Sequence, residues 1–156
     1  MKNFKIKAFI FLFIISSIFN SCSLKPTISE KKYLKNPKGN TINIDDLGNG
    51  KVLFYNYGYY CPVIECGRLT KVNIKANGIS FGQLNYGEYF IVDLENGDYL
   101  FETERRDVFL FKAKYNLKIS NFTKVIKICG NTLHKSLQVT NSLPAEITQL
   151  RNLRSF

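Results

Sequence analysis

The chain has 156 residues, enough for one domain, and its 45% hydrophobic and 22% charged residues exclude both a disordered chain and a polytopic membrane protein. Its formal net charge is +10; setting aside Lys2, Lys5 and Lys7, which lie in a segment expected to be removed, leaves +7. Five further lysines, Lys25, Lys31, Lys32, Lys35 and Lys38, fall in one short stretch opposed only by Glu30, so the basicity is local and does not form the recognition face that a nucleic-acid partner would need.

Met1–Lys7 carries three lysines and no acid, and Ala8–Phe19 (AFIFLFIISSIF) is a largely apolar run. These are the n-region and h-region of a secretory signal. A transmembrane helix needs about 20 apolar residues, and Asn20 and Ser21 end this run short of that. The run closes on Phe19-Asn20-Ser21-Cys22, which resembles the bacterial lipobox, although Phe19 and Asn20 depart from its commonest pattern and an ordinary signal peptide is the alternative. The resemblance implies cleavage before Cys22, acylation of that cysteine by palmitate-like chains, and a membrane lipoprotein. Buried methylenes contribute about 0.8 kcal/mol each, so two or three chains anchor a protein durably. Ser23, standing where Asp would retain the protein at the inner membrane, favours the outer membrane of a cell envelope by the same resemblance.

The expected organisation is a signal peptide at 1–21, a lipidated, lysine-rich flexible tether at 22–47, and a β-sandwich domain at 48–156. The basic tether suits anionic headgroups.

From Lys51 onward, short aromatic-rich runs alternate with glycine and asparagine turns. Strands are expected at Val52–Tyr57, Thr70–Ala76, Ile79–Leu84, Glu88–Leu94, Asp98–Glu104, Asp107–Tyr115, Lys124–Cys129 and Lys135–Val139, with Asn77-Gly78 and Asn96-Gly97 as hairpin turns. The fold class is all-β, a small antiparallel sandwich of about 6–8 strands. One short C-terminal helix is expected at about 144–154, because Pro144 suits a first turn, Glu146 complements the dipole, and Ile147, Leu150 and Leu153 share a face.

Asn77-Gly78, Gly82, Leu84, Gly87, Tyr89-Phe90, Leu94, Gly97 and Tyr99 carry a further resemblance over roughly Lys51–Val139. In those places the chain is similar to the small bacterial lipoproteins of domain of unknown function family 2846, which implies a sandwich like those of transthyretin-like and carboxypeptidase regulatory domains. The matching positions are turns and core residues, and no catalytic residue comes with them. Tyr57–Gly67 (YGYYCPVIECG) departs from the family's usual loop after the first strand.

With Cys22 committed to lipid, Cys61, Cys66 and Cys129 remain, and an envelope location permits one disulfide. Cys61 with Cys66 is slightly favoured, and Cys129 is the alternative partner for either. The Cys-x4-Cys spacing and single histidine, His134, disfavour both thioredoxin-like chemistry and a metal site, and His134 without a G-x-S-x-G motif gives no serine triad. Asp93, Glu95 and Asp98 lack the order of a calcium loop. Tyr57, Tyr59 and Tyr60 form a candidate contact loop, since amphipathic tyrosines recognise protein or glycan surfaces. The expected function is therefore a non-enzymatic binding or scaffolding module, without cofactor, that meets an envelope protein or glycan. An inhibitor or immunity-type protein is the alternative, and an envelope hydrolase a weaker one.

Overall fold

The computed structural model describes residues 24–34, 42–57, 71–106, 110–128, 137–145 and 147–153. Nine strands occur among them: β1 (Lys51–Asn56), β2 (Val72–Ala76), β3 (Ile79–Leu84), β4 (Glu88–Asp93), β5 (Gly97–Arg106), β6 (Leu110–Ile119), β7 (Val125–Ile128), β8 (Leu137–Val139) and β9 (Arg151–Asn152). The first sheet has the order β8-β7-β1-β4-β9 and the second β3-β2-β5-β6. The second is antiparallel throughout. The first is mixed, because β1 pairs antiparallel with β4 but parallel with β7, and β4 pairs parallel with β9. The expected all-antiparallel arrangement is corrected there: β7 arrives from the second sheet at the end where β1 begins, so it runs in β1's direction.

The main core lies between the sheets. Phe54 and Phe90 of the first sheet meet Phe81 and Phe101 of the second, with Phe54 edge-on to Phe81 at 5.9 Å and stacked on Phe90 at 5.2 Å. Val52, Val92, Ile126, Ile74 and Leu84 fill the space around them. Burying each such side chain stabilises the fold by about 1.5–3 kcal/mol. A second apolar cluster covers the outer face of the first sheet, where Leu53, Tyr55, Tyr89, Ile91 and Val125 pack beneath Ile42, Leu47 and Leu150. β1 and β4 are therefore buried on both faces, which is why VLFY and YFIV read as unbroken apolar runs. β6 instead alternates exposed and half-buried residues as an edge strand, its outward Lys112 and Lys114 paired with Glu104 and Glu102 of β5.

Three expectations are corrected. The stretch expected as a flexible tether is docked over its described residues. Ser29 bridges Phe81, Glu30 N–H donates to Ser80 O at 2.9 Å, and Asn73 Nδ2 donates to Lys25 O at 2.9 Å, so residues 25–30 run antiparallel along the free edge of β3. Tyr33 then enters the core, stacking on Phe90 at 4.8 Å and donating its hydroxyl to Phe81 O at 2.7 Å. Few apolar residues are needed for this, and Leu24, Tyr33, Ile42 and Leu47 are all buried.

Asn96-Gly97 does not close a hairpin, since β4 and β5 belong to different sheets; the pair is a crossing between them. The expected helix at 144–154 is also replaced. Ile147 N–H donates to Pro144 O and Leu150 N–H to Ile147 O, the bonds of one 3-10 turn (Ile147–Gln149). Arg151 and Leu153 N–H then donate to Gly87 O and Tyr89 O, each at 2.8 Å, so the free edge of β4 captures the chain before a further helical turn can form. Among the described residues no helix is long and apolar enough to cross a membrane.

Glu88, 1% exposed, is with Arg105 one of two buried charged side chains among the described residues, and its carboxylate accepts from Asn85 N–H at 2.8 Å, from Asn85 Nδ2 at 2.7 Å and from Arg151. Bonded in this way, a buried carboxylate is tolerated.

Tyr33→Ala should lower unfolding stability by about 3 kcal/mol in urea denaturation, through the lost stack and the cavity against Phe90. Tyr33→Phe, losing only the hydrogen bond to Phe81 O, should cost about 1 kcal/mol. Losses below a few tenths of a kcal/mol for both would refute the docking of this segment.

Candidate functional site

Of the residues singled out in the sequence, Tyr57 is half-buried and stacks on Tyr86 at 5.3 Å, at the end of the sandwich where β1 finishes. Cys22, Tyr59, Tyr60, Cys61, Cys66, Cys129 and His134 lie outside the described residues. Asn56, the last residue of β1, pairs with Ile128, the last residue of β7.

The largest described cleft, about 730 Å³, is at the opposite end. Four turns form it together with Lys31 of the N-terminal segment: the turn entering β1, the β2–β3 turn, the β4–β5 crossing and the β6–β7 crossing. Each turn contributes an asparagine, respectively Asn49, Asn77, Asn96 and Asn121. Asp93, Glu95, Lys31 and Tyr99 complete its polar lining, with Phe81, Ile79 and Leu94 as its apolar part. Asp98 lies outside the lining, so the three acids bracketing Asn96-Gly97 are divided.

Local chemistry explains why asparagine and glycine recur here. Asn77 has φ +49°, a left-handed turn conformation that its short side chain tolerates, and its Oδ1 accepts from Leu100 N–H at 2.8 Å. This ties the β2–β3 hairpin to β5. Asn96 Nδ2 donates to Asn121 Oδ1 at 2.8 Å and so clamps the two crossings between sheets. Gly50, at φ +93°, admits no side chain, because a Cβ would lie 2.7 Å from Asp93 Oδ1 and 2.9 Å from Leu94 O. The Leu94 N–H in turn donates to Gly50 O at 2.8 Å. The rim is thus held by hydrogen bonds on every side, and its unspent amide, carboxylate and ammonium groups face solvent.

Tyr99 donates to Glu95 O at 3.1 Å, and its phenol is held above the usual tyrosine range, first by burial and then by the Glu95 carboxylate. Among the described residues, no group of three histidine, cysteine or acidic side chains is placed to hold a metal ion. The arrangement offers hydrogen-bond donors and acceptors around a shallow apolar floor, the chemistry of a contact site for polar groups. Asn49 and Asn121 were not singled out in the sequence, and Lys31 and Tyr99 stood there only as a tether lysine and a position of the family resemblance. The available signal was Gly48-Asn49-Gly50 and Ser120-Asn121, turn motifs that acquire a common location only once the crossings are known.

Comparisons of the chain with protein-family models, with curated proteins and with solved structures give no match in any of the three.

Asn77→Ala should destabilise the protein by about 1–2 kcal/mol in thermal or urea unfolding, from the strained φ and the unpaired Leu100 N–H. Asn77→Gly, which keeps the turn's φ but not the side-chain bond, should lose less, and equal losses would show that the turn conformation is unimportant.

The Tyr33 phenol is also raised, chiefly by burial. Both phenols hold their proton more tightly folded than unfolded. Their stabilisation is therefore complete below the ordinary value near 10 and is lost as pH rises through the raised values. Alkaline absorbance titration should show late-ionising tyrosines, one of which disappears in Tyr99→Phe and shifts down in Glu95→Gln.

Proposed function

We propose that the protein is a lipid-anchored envelope lipoprotein whose β-sandwich is a binding or scaffolding module, with the asparagine-lined cleft as its contact surface. The observation that carries the binding reading is the cleft itself: its walls are hydrogen-bonded turns from both sheets, and its lining combines carboxamides, Asp93, Glu95, Lys31 and the edge of Tyr99. Carboxamides both donate and accept, and together with carboxylates and an aromatic edge they suit polar groups of an envelope glycan or protein. Phe122, 83% exposed beside Asn121, and half-exposed Ile79 add apolar area at the rim, as contact surfaces commonly do.

The anchor reading is supported by the lysine-bearing n-region, the short apolar run and Ser21-Cys22 at its end. Ser23 favours the outer membrane. The positions shared with domain of unknown function family 2846 support a lipoprotein of this size.

Mass spectrometry of the membrane fraction should find acyl chains on Cys22, and Cys22→Ser should release the protein or block its processing; an unmodified mature N-terminus would refute the anchor. For the cleft, a photo-crosslinking amino acid at position 122 should capture a discrete envelope component in cells, while one at the exposed Asn116 on β6 should not. Adducts of equal yield at both positions would refute the cleft as the contact surface.

A further inference from the structure

We propose that the domain rests directly on the bilayer by the end that carries the Asn85–Gly87 turn, so that the asparagine-lined cleft faces away from the membrane; this rests on the reading of Cys22 as the lipidated residue.

The first argument is covalent reach. The N-terminal segment is docked as far back as its first described residue, Leu24, which is 9% exposed, and Asn73 holds Lys25 O. Cys22 stands two residues before Leu24, and two residues span at most about 7 Å. A tether of some twenty-five flexible residues would leave orientation open, whereas this one is a short leash.

The second argument is direction. Ser29 lies opposite Phe81 and Glu30 binds Ser80, antiparallel to β3, so going back from residue 30 to residue 24 leads along β3 toward Asn85. Going forward, the same segment reaches Lys31 in the wall of the cleft. The anchor and the cleft are thus at opposite ends of strands six residues long, about 20 Å apart at 3.3 Å per residue.

Charge and aromatic placement agree independently of Cys22. At the anchor end Lys25, Lys71 and Arg106 are exposed and make no ion pair among the described residues, and the acids nearby are occupied, Glu88 by Arg151 and Glu104 by Lys112. At the cleft end Asp45, Asp46, Asp93, Glu95 and Asp98 offset Lys31, Lys32, Lys51, Lys118 and Lys124, so these described residues carry no basic excess. A basic surface is drawn to anionic headgroups, and the stacked Tyr57 and Tyr86 at the same end are of the residue type that settles at headgroup depth.

The chain contains no tryptophan, so a single introduced one reports alone. Full-length Tyr86→Trp and Phe122→Trp, purified from membranes with the acyl modification of Cys22 verified by mass spectrometry, would be placed in phosphatidylcholine–phosphatidylglycerol vesicles containing headgroup spin-labelled lipid. The Tyr86→Trp emission should be strongly quenched and that of Phe122→Trp should be unchanged. Arg106→Trp, an exposed site at the same end, replaces Tyr86→Trp if that variant unfolds. Equal quenching at both ends, or quenching at 122 alone, on acylated protein would overturn the orientation. Absence of acyl chains on Cys22 would instead overturn the reading on which it rests.

Discussion

The central pair of strands, β1 and β4, has no polar face, and the rest of the molecule is arranged around that fact. Phe54, Phe90, Val52 and Val92 point into the space between the sheets, and Leu53, Tyr55, Tyr89 and Ile91 point the other way. A strand of this kind must be covered twice, once by the second sheet and once by whatever the chain can supply on the outside. Here the outer cover comes from the segments around Ile42–Leu47 and Leu143–Leu150, neither of which has regular structure beyond a single 3-10 turn. Without that cover about five large apolar side chains would face water, a liability of several kcal/mol that no irregular linker would be kept ordered to avoid unless it packed well.

The strands were legible because each is short, rich in aromatic and β-branched residues, and bounded by glycine or asparagine; Ile79–Leu84 was placed at its observed limits. Pairing was less so. Asn77-Gly78 and Asn96-Gly97 are the same dipeptide, yet one closes a hairpin within a sheet and the other carries the chain between sheets. The distinction is not in the turn residues but in which face of the next strand must be buried, a long-range condition. Residues 24–34 were misread for a related reason. Their composition is that of a linker, and the groups that dock them are mainly backbone N–H and C=O, which every sequence carries. Only Tyr33 contributes a large buried ring, and nothing in the local pattern announces its partner, Phe90. The C-terminal segment had helical spacing, but the open edge of β4 offers its amides better-placed acceptors than a free-standing helical turn would.

The cleft follows from the crossings. Wherever a chain passes from one sheet to the other it must turn across the open end of the sandwich, and it needs residues that accept unusual backbone angles and bond the backbone with their own side chains. Asparagine does both. The same property that makes Asn96 and Asn121 good structural clamps leaves the remaining amide and carbonyl groups at the surface, so a polar site arises at the place where topology concentrates turns.

Two segments far apart in sequence meet on one edge of β4. Leu34 binds Ile91 O from one side of the sequence, and Arg151 and Leu153 bind Gly87 O and Tyr89 O from the other. A ribosome releases residue 34 long before β4 exists and residue 153 well after it. The N-terminal segment can lie on β3 and β4 once residues 80–91 exist, whereas the part of the β4 edge at Gly87 and Tyr89 waits for Arg151 and Leu153. Contacts this distant in sequence slow folding and hold off the cooperative closure of the domain. That edge is therefore completed in two steps, early by residue 34 and late by residues 151–153.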